Sequence, residues 1–163
     1  VSPWWLALGL GCGWWSAEPA AQAPVVPPVQ VVEIRPAEGP LQTLLAIEYS
    51  AARSAGRTAY AQVYADWCGP CVQLREAMPD PRMQHAFEGV HVVRVAYDAW
   101  QVPLNALLGR IDGPPVPVFY EIGPGGELTR SLDGSAWGAN VPENMAGPLR
   151  AFFAGDAAPV ASP

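Results

Sequence analysis

The stretch Ala59-Tyr60-Ala61-Gln62-Val63-Tyr64-Ala65-Asp66-Trp67-Cys68-Gly69-Pro70-Cys71, with Val72 to Met78 behind it, decides how this chain is read. Ala59 to Ala65 is an apolar run rich in Tyr and Val, the composition of a buried strand, and Val72 to Met78 reads as helix. Cys68 and Cys71 therefore fall on a strand-to-helix turn. Two cysteines separated by two residues can pass between dithiol and disulfide, so the turn is a redox centre in outline.

The placement assigns the roles. The first free N–H groups of a helix and the positive end of its dipole stabilise a thiolate at the helix start. Cys68 is the expected nucleophile, because such motifs lower a thiol pKa from about 8.5 to roughly 3.5–7.5. Cys71, one turn further on, is expected to be the more buried of the two and to act as resolver. It attacks the mixed disulfide that Cys68 forms with a substrate, which frees the reduced substrate and closes a Cys68–Cys71 disulfide. Gly69 leaves room for another chain's backbone, and Pro70 suits a first helical turn, where a missing N–H is no loss.

Trp67-Cys68-Gly69-Pro70-Cys71 resembles the active site of the thioredoxin family, and its flanks, Tyr64-Ala65-Asp66 and Val72-Gln73-Leu74, are similar too. A second element is Val116-Pro117-Val118-Phe119-Tyr120, where the resemblance implies a cis proline facing the cysteines. Such a proline would turn the backbone of Val116 toward a bound substrate strand. Trp67 is expected to flank the turn as part of the same substrate surface. The resemblance also brings a departure. The family buries a carboxylate six positions before the first cysteine as proton acceptor for the second, and this chain has Gln62 there. An amide cannot exchange that proton, so Cys71 must lose it to water or to another group. Arg94 stands where the family has a lysine. Glu48, Glu76 and Asp98 read as solvated carboxylates rather than as substitutes for the missing acid.

The order of elements points to the same fold. Val29 to Ile34 reads as a short strand, and Leu41 to Arg53 as a helix with Leu41, Leu44, Leu45, Tyr49 and Ala52 on one stripe. After the cysteine turn come a break at Pro79 and a fresh start at Asp80-Pro81. Val90 to Tyr97 is a strand and Leu104 to Gly109 a short helix. The Pro117 strand is turned by Gly123-Pro124-Gly125-Gly126 onto a hairpin partner, Glu127 to Leu132, and Pro142 to Phe153 closes as a helix. The expectation is an α/β thioredoxin fold, βαβαβαββα, with a mixed central sheet flanked by helices on both faces.

The domain reading is 1–23 as a signal-peptide-like or lipoprotein-signal-like apolar segment, 24–28 as a Pro-rich tether, 29–155 as the thioredoxin-like domain and 156–163 as a flexible tail. The apolar stretch Pro3 to Trp15 is shorter than the roughly 20 residues of a membrane span and fits an export signal. Leu8-Gly9-Leu10-Gly11-Cys12 resembles the box before the lipidated cysteine of bacterial lipoproteins, which makes Cys12 the candidate lipidation site; removal with the signal is the alternative. The expected location is exported, periplasmic or cell-envelope, with membrane attachment through a lipid at the N-terminus. The protein is expected to need a membrane electron donor, and its partners are disulfide-bearing client proteins.

Composition excludes other classes. Half the residues are apolar and 15% are charged, with a net charge of −6, which rules out compositional disorder and argues against nucleic acid. There is no phosphate loop or serine-hydrolase elbow, and no cofactor is implied. His85 and His91 lack the close spacing that would make a metal site with the cysteines, so no metal is expected. Trp100 and Trp137 read as packing residues. The Gly-Pro pair between the cysteines resembles the reducing members of the family, so a protein-disulfide reductase is the first reading. A thiol oxidase or disulfide isomerase using the same residues, and a non-catalytic binding module of the same fold, are the alternatives.

Overall fold

The structure, a computed structural model, describes residues 28–109 and 113–156. The apolar leader with Cys12, most of the Pro-rich tether and nearly all of the C-terminal tail lie outside the described residues. Five strands form one sheet: β1 (Gln30–Glu33), β2 (Thr58–Tyr64), β3 (Val90–Ala96), β4 (Val118–Ile122) and β5 (Leu128–Asp133), in the order β1-β3-β2-β4-β5. β1, β3 and β2 run parallel, and β4 lies antiparallel between β2 and β5. The helices are α1 (Leu41–Ser54), α2 (Gly69–Ala77), α3 (Pro81–Ala86), α4 (Tyr97–Leu108) and α5 (Pro142–Phe153). This is the mixed sheet and helix order that the sequence implied. Among the described residues no helix is long and apolar enough to cross a membrane.

Alternation along the strands divides the core. Ala61 and Val63 of β2, Val93 and Val95 of β3 and Val118 of β4 meet Leu41, Leu45 and Ala52 of α1 and Trp100 and Leu104 of α4. Tyr60, Val92 and Phe119 point to the other face, against Leu74 of α2, Met83 of α3 and Met145, Leu149 and Phe152 of α5. Side chains two apart share a face of a strand, so each of these strands serves both layers.

Local signals set the boundaries. The Asp80 carboxylate accepts from the Arg82 N–H at 2.8 Å and caps α3, and Pro81 takes its first position. α2 and α3 are therefore two helices separated at Met78 to Asp80. Gly126, at φ +77°, turns the β4–β5 hairpin directly against α1, where a Cβ would run into the Gln42 carbonyl oxygen. α4 differs from the sequence reading, which placed a short helix from Leu104. It begins at Tyr97, directly after β3, and carries Pro103 in its interior. An interior proline costs a helix about 3 kcal/mol. The first turns of α4 offset this by burying Trp100, whose indole N–H donates to the Ile34 carbonyl at 3.2 Å.

Candidate redox site

β2 ends at Tyr64, and Ala65 to Trp67 carry the chain to Cys68, which is the N-cap of α2. Cys68 and Cys71 are joined in a disulfide with Cα atoms 5.3 Å apart. The Cys71 N–H donates to the Cys68 sulfur at 3.1 Å. Gly69 and Pro70 fill the first helical positions, and the space a Cβ would take at Gly69 is open. The sulfur that sits at the positive end of α2 and receives the Cys71 N–H, which is shared with the Cys68 carbonyl at 3.1 Å, is thus that of Cys68. Both features favour a thiolate there when the pair is reduced.

The expected difference in burial is absent. Cys68 is 4% exposed and Cys71 6%, so Cys71 is not the more buried residue. Residues remote in sequence close over the cysteines. Val116 brings its carbonyl oxygen to 3.5 Å from the Cys68 sulfur, and Tyr97 packs on the cluster of Tyr64, Ala65, Cys68 and Cys71.

Val116–Pro117 is a cis peptide bond, on the loop that leads into β4 beside the cysteines. Its loop rests on Tyr97. Gly113, at φ +74°, lies so close to the Tyr97 phenol that a Cβ would overlap it, and the Gln101 side chain donates to the Tyr97 hydroxyl at 3.0 Å. Tyr97 was not singled out in the sequence, where it reads as the last residue of a strand. A Tyr followed by helix-compatible residues and, further on, a Gly before two prolines is a faint signal at most.

Trp67 is 66% exposed, and its indole N–H is shared between the two Asp98 carboxylate oxygens at 2.9 and 3.1 Å. Asp98, in the first turn of α4, is therefore a partner of Trp67 and not a merely solvated carboxylate. Glu48 also differs from its sequence reading: its carboxylate oxygen lies 2.8 Å from the ring Nε2 of buried His91. His91 is 1% exposed, on the α1 side of the sheet and away from the cysteines. Glu76 is exposed. Trp100 and Trp137 are both buried, and the Trp137 N–H donates to Asn140 at 2.9 Å.

Gln62 is half-buried and sits in register with Arg94 on β3 and Phe119 on β4. The Arg94 guanidinium lies over the Tyr64 ring, 3.8 Å from its centroid, and donates to Glu33 at 3.3 Å. Burial pushes the Tyr64 hydroxyl upward from its usual value, with Arg94 opposing and Glu33 reinforcing that shift. A cavity of about 760 Å3 lies between α2 and this part of the sheet, and Gln62, Tyr64, Cys71 and Arg94 all line it.

No family model matches the chain. Over 85 residues, 52% of this chain, it is 31% identical to the thiol:disulfide interchange protein DsbD 2 of Pseudomonas aeruginosa, and the match spans only 14% of that protein's length. A disulphide isomerase structure from Xylella fastidiosa Temecula1 superposes with a TM-score of 0.50 at 16% identity, over 72% of this chain and 91% of that one. A point mutant of thioredoxin from Halobacterium salinarum NRC-1 gives a TM-score of 0.50 at 21% identity, over 82% of this chain and 95% of that one. Strand order, helix placement and the CxxC disulfide at the start of α2 agree with these likenesses: the chain is thioredoxin-like, a thioredoxin fold with its cysteine pair on the β2–α2 turn.

Proposed function

We propose that the protein is a protein-disulfide reductase of exported clients, with Cys68 as nucleophile and Cys71 as resolver. The observation that carries the assignment of roles is the Cys71 N–H aimed at the Cys68 sulfur at the N-cap of α2. A thiolate is favoured on Cys68 by that donor and by the helix dipole, and nucleophilicity follows the thiolate. The Cys68 thiolate attacks a client disulfide, one client sulfur leaves as a thiol, and Cys71 then displaces the second. Val116 and Pro117 offer backbone to an extended client segment, and exposed Trp67 with Gly69 and Pro70 forms the rest of its contact surface. Gln62 removes the carboxylate proton acceptor from the second step.

The reducing direction draws on the Gly-Pro pair between the cysteines. Export, the periplasmic or envelope location, lipidation at Cys12 and a membrane electron donor belong to the same proposal. They draw on the apolar leader and on the likeness to a thiol:disulfide interchange protein.

Two measurements on the purified protein test this. Cys71→Ser is expected to accumulate mixed disulfides with clients and Cys68→Ser almost none; equal trapping would overturn the roles. A titration against defined thiol–disulfide buffers then reads direction, where each 30 mV corresponds to about 1.4 kcal/mol. A strongly reducing potential supports the reductase. A strongly oxidising one makes the protein a disulfide donor acting through the same residues.

A further inference from the structure

The cavity that Cys71 lines is also lined by a cation and by an amide at the position where the resemblance implies a proton acceptor. Gln62, on β2, is neutral. Arg94, beside it on β3, is half-buried and lines the same cavity as Cys71. Its guanidinium is fixed from two sides, by the Tyr64 ring beneath it and by Glu33 of β1, so it is held at the cavity wall rather than left to extend into solvent. Tyr64 itself packs in the cluster that contains both cysteines. The cavity opens past exposed side chains, among them Val31 at 50% exposure and Arg75.

We infer that Arg94 is a positioning residue for the second step: through the cavity it stabilises the Cys71 thiolate, and solvent water reaching Cys71 by the same route takes the proton. The inference rests on Cys71 being the resolver. The step balances without a protein base. Cys71 S–H gives its proton to water, the Cys71 sulfur bonds to the Cys68 sulfur, and the bond from Cys68 to the client sulfur breaks. The client sulfur keeps the electron pair and takes up a proton from solvent. The client is reduced by two electrons and the cysteine pair is oxidised by two. A cation near a thiol favours its charged form, whereas a buried carboxylate in the same place would disfavour it. The charged and titratable groups that share the cavity with Cys71 are Arg94 of β3, Tyr64 of β2, Arg75 of α2 and Glu88 after α3, and Tyr97 of α4 packs on the cysteine cluster; Glu33 of β1 and Asp66 after β2 act on Tyr64. Glu33 is the carboxylate bonded to Arg94, and it partly neutralises the cation.

The test is the pH midpoint for alkylation of Cys71 by iodoacetamide in the reduced full-length Cys68→Ser protein. Arg94→Gln is expected to raise the midpoint by about one pH unit, a tenfold loss of thiolate below it, and Arg94→Lys to restore it. Glu33→Gln is expected to lower it, because Arg94 then acts uncompensated. An unmoved midpoint in Arg94→Gln, or a shift that Arg94→Lys leaves uncorrected, overturns the inference. If Arg94→Gln fails to fold, Glu33→Gln decides: a lowered midpoint supports the role and an unmoved or raised one removes it. These midpoints do not depend on the direction of electron flow. An oxidising potential would overturn the reductase and leave the Arg94 result standing, and unmoved midpoints with normal trapping would do the reverse.

Discussion

The two faces of the sheet are built to different standards of closure. On the α1/α4 face, Leu45, Ala61, Val63, Val93, Val95 and Leu104 have no exposed surface. Its polar feature is the pair of His91 with Glu48, whose ring Nδ1 is buried with no hydrogen-bond partner. The α2/α5 face is aromatic at one end, where Tyr60, Phe87, Phe119, Phe152 and Phe153 meet edge-on or tilted. At the other end it leaves a cavity of about 760 Å3 beside Cys71. Met83, Met145 and Leu149 on this face have no exposed surface either, so the difference in closure is local to the cavity beside Cys71. Close packing gains dispersion and excludes water, while Cys71, in its proposed role as resolver, needs polar groups and solvent within reach to shed a proton.

The largest effect is expected from a matched pair of excisions. Leu45→Ala, on the closed face, is expected in the upper part of the range of about 2–5 kcal/mol measured by urea unfolding. Leu74→Ala, which enlarges an existing cavity, belongs at the lower end of that range. Equal losses would mean that the cavity wall is as tightly packed as the closed face.

A second test concerns the aromatic end. Burial, with Glu121 adding to it, pushes the Tyr60 hydroxyl up to about 12 from an ordinary value of 10.0. The hydroxyl donates to the Phe153 carbonyl at 3.1 Å. The folded state therefore holds its proton more tightly than the unfolded state. Its contribution is whole below pH 10 and is lost as pH rises from there toward 12, by about 2 kcal/mol. Tyr60→Phe is expected to flatten that part of the pH–stability profile. If the alkaline slope persisted unchanged in the variant, the hydroxyl would not be its source.

The smallest effect is expected at the rim of the redox site. Asp98→Ala removes the acceptor for the exposed Trp67 indole, and at such a surface position the stability change should stay within about 0.5 kcal/mol. The Trp67 indole N–H should nevertheless exchange faster with solvent, read by NMR. An unaltered exchange rate would show that Asp98 does not hold the ring.

Much of this architecture is legible in the chain. The Tyr/Val run before Cys68, the leucines of α1 and the Asp80-Pro81 start each carry local signals of period or capping, and the elements appear where those signals lie. α4 was misplaced because Pro103 punctuates locally, while the burial of Trp100 against Ile34 is a long-range fact. The equal burial of the two cysteines was hidden for a similar reason. Val116 reaches the Cys68 sulfur and Tyr97 packs on the cluster that holds both cysteines, and both are remote in sequence from the turn.

The residue order by itself determined that two cysteines share a strand-to-helix turn, which follows from side-chain chemistry and from periodicities that need only near neighbours. The mixed sheet and the reading of Gln62 in place of an acid came from the resemblance to the thioredoxin family. Tertiary structure alone decided that Arg94 turns to Glu33 and Tyr64, that Asp98 holds Trp67, that Glu48 belongs to His91, and that a cavity joins Gln62, Arg94 and Cys71. Each of those contacts links residues from different elements. Which of several reachable partners a long polar side chain takes depends on how strands and helices are laid side by side.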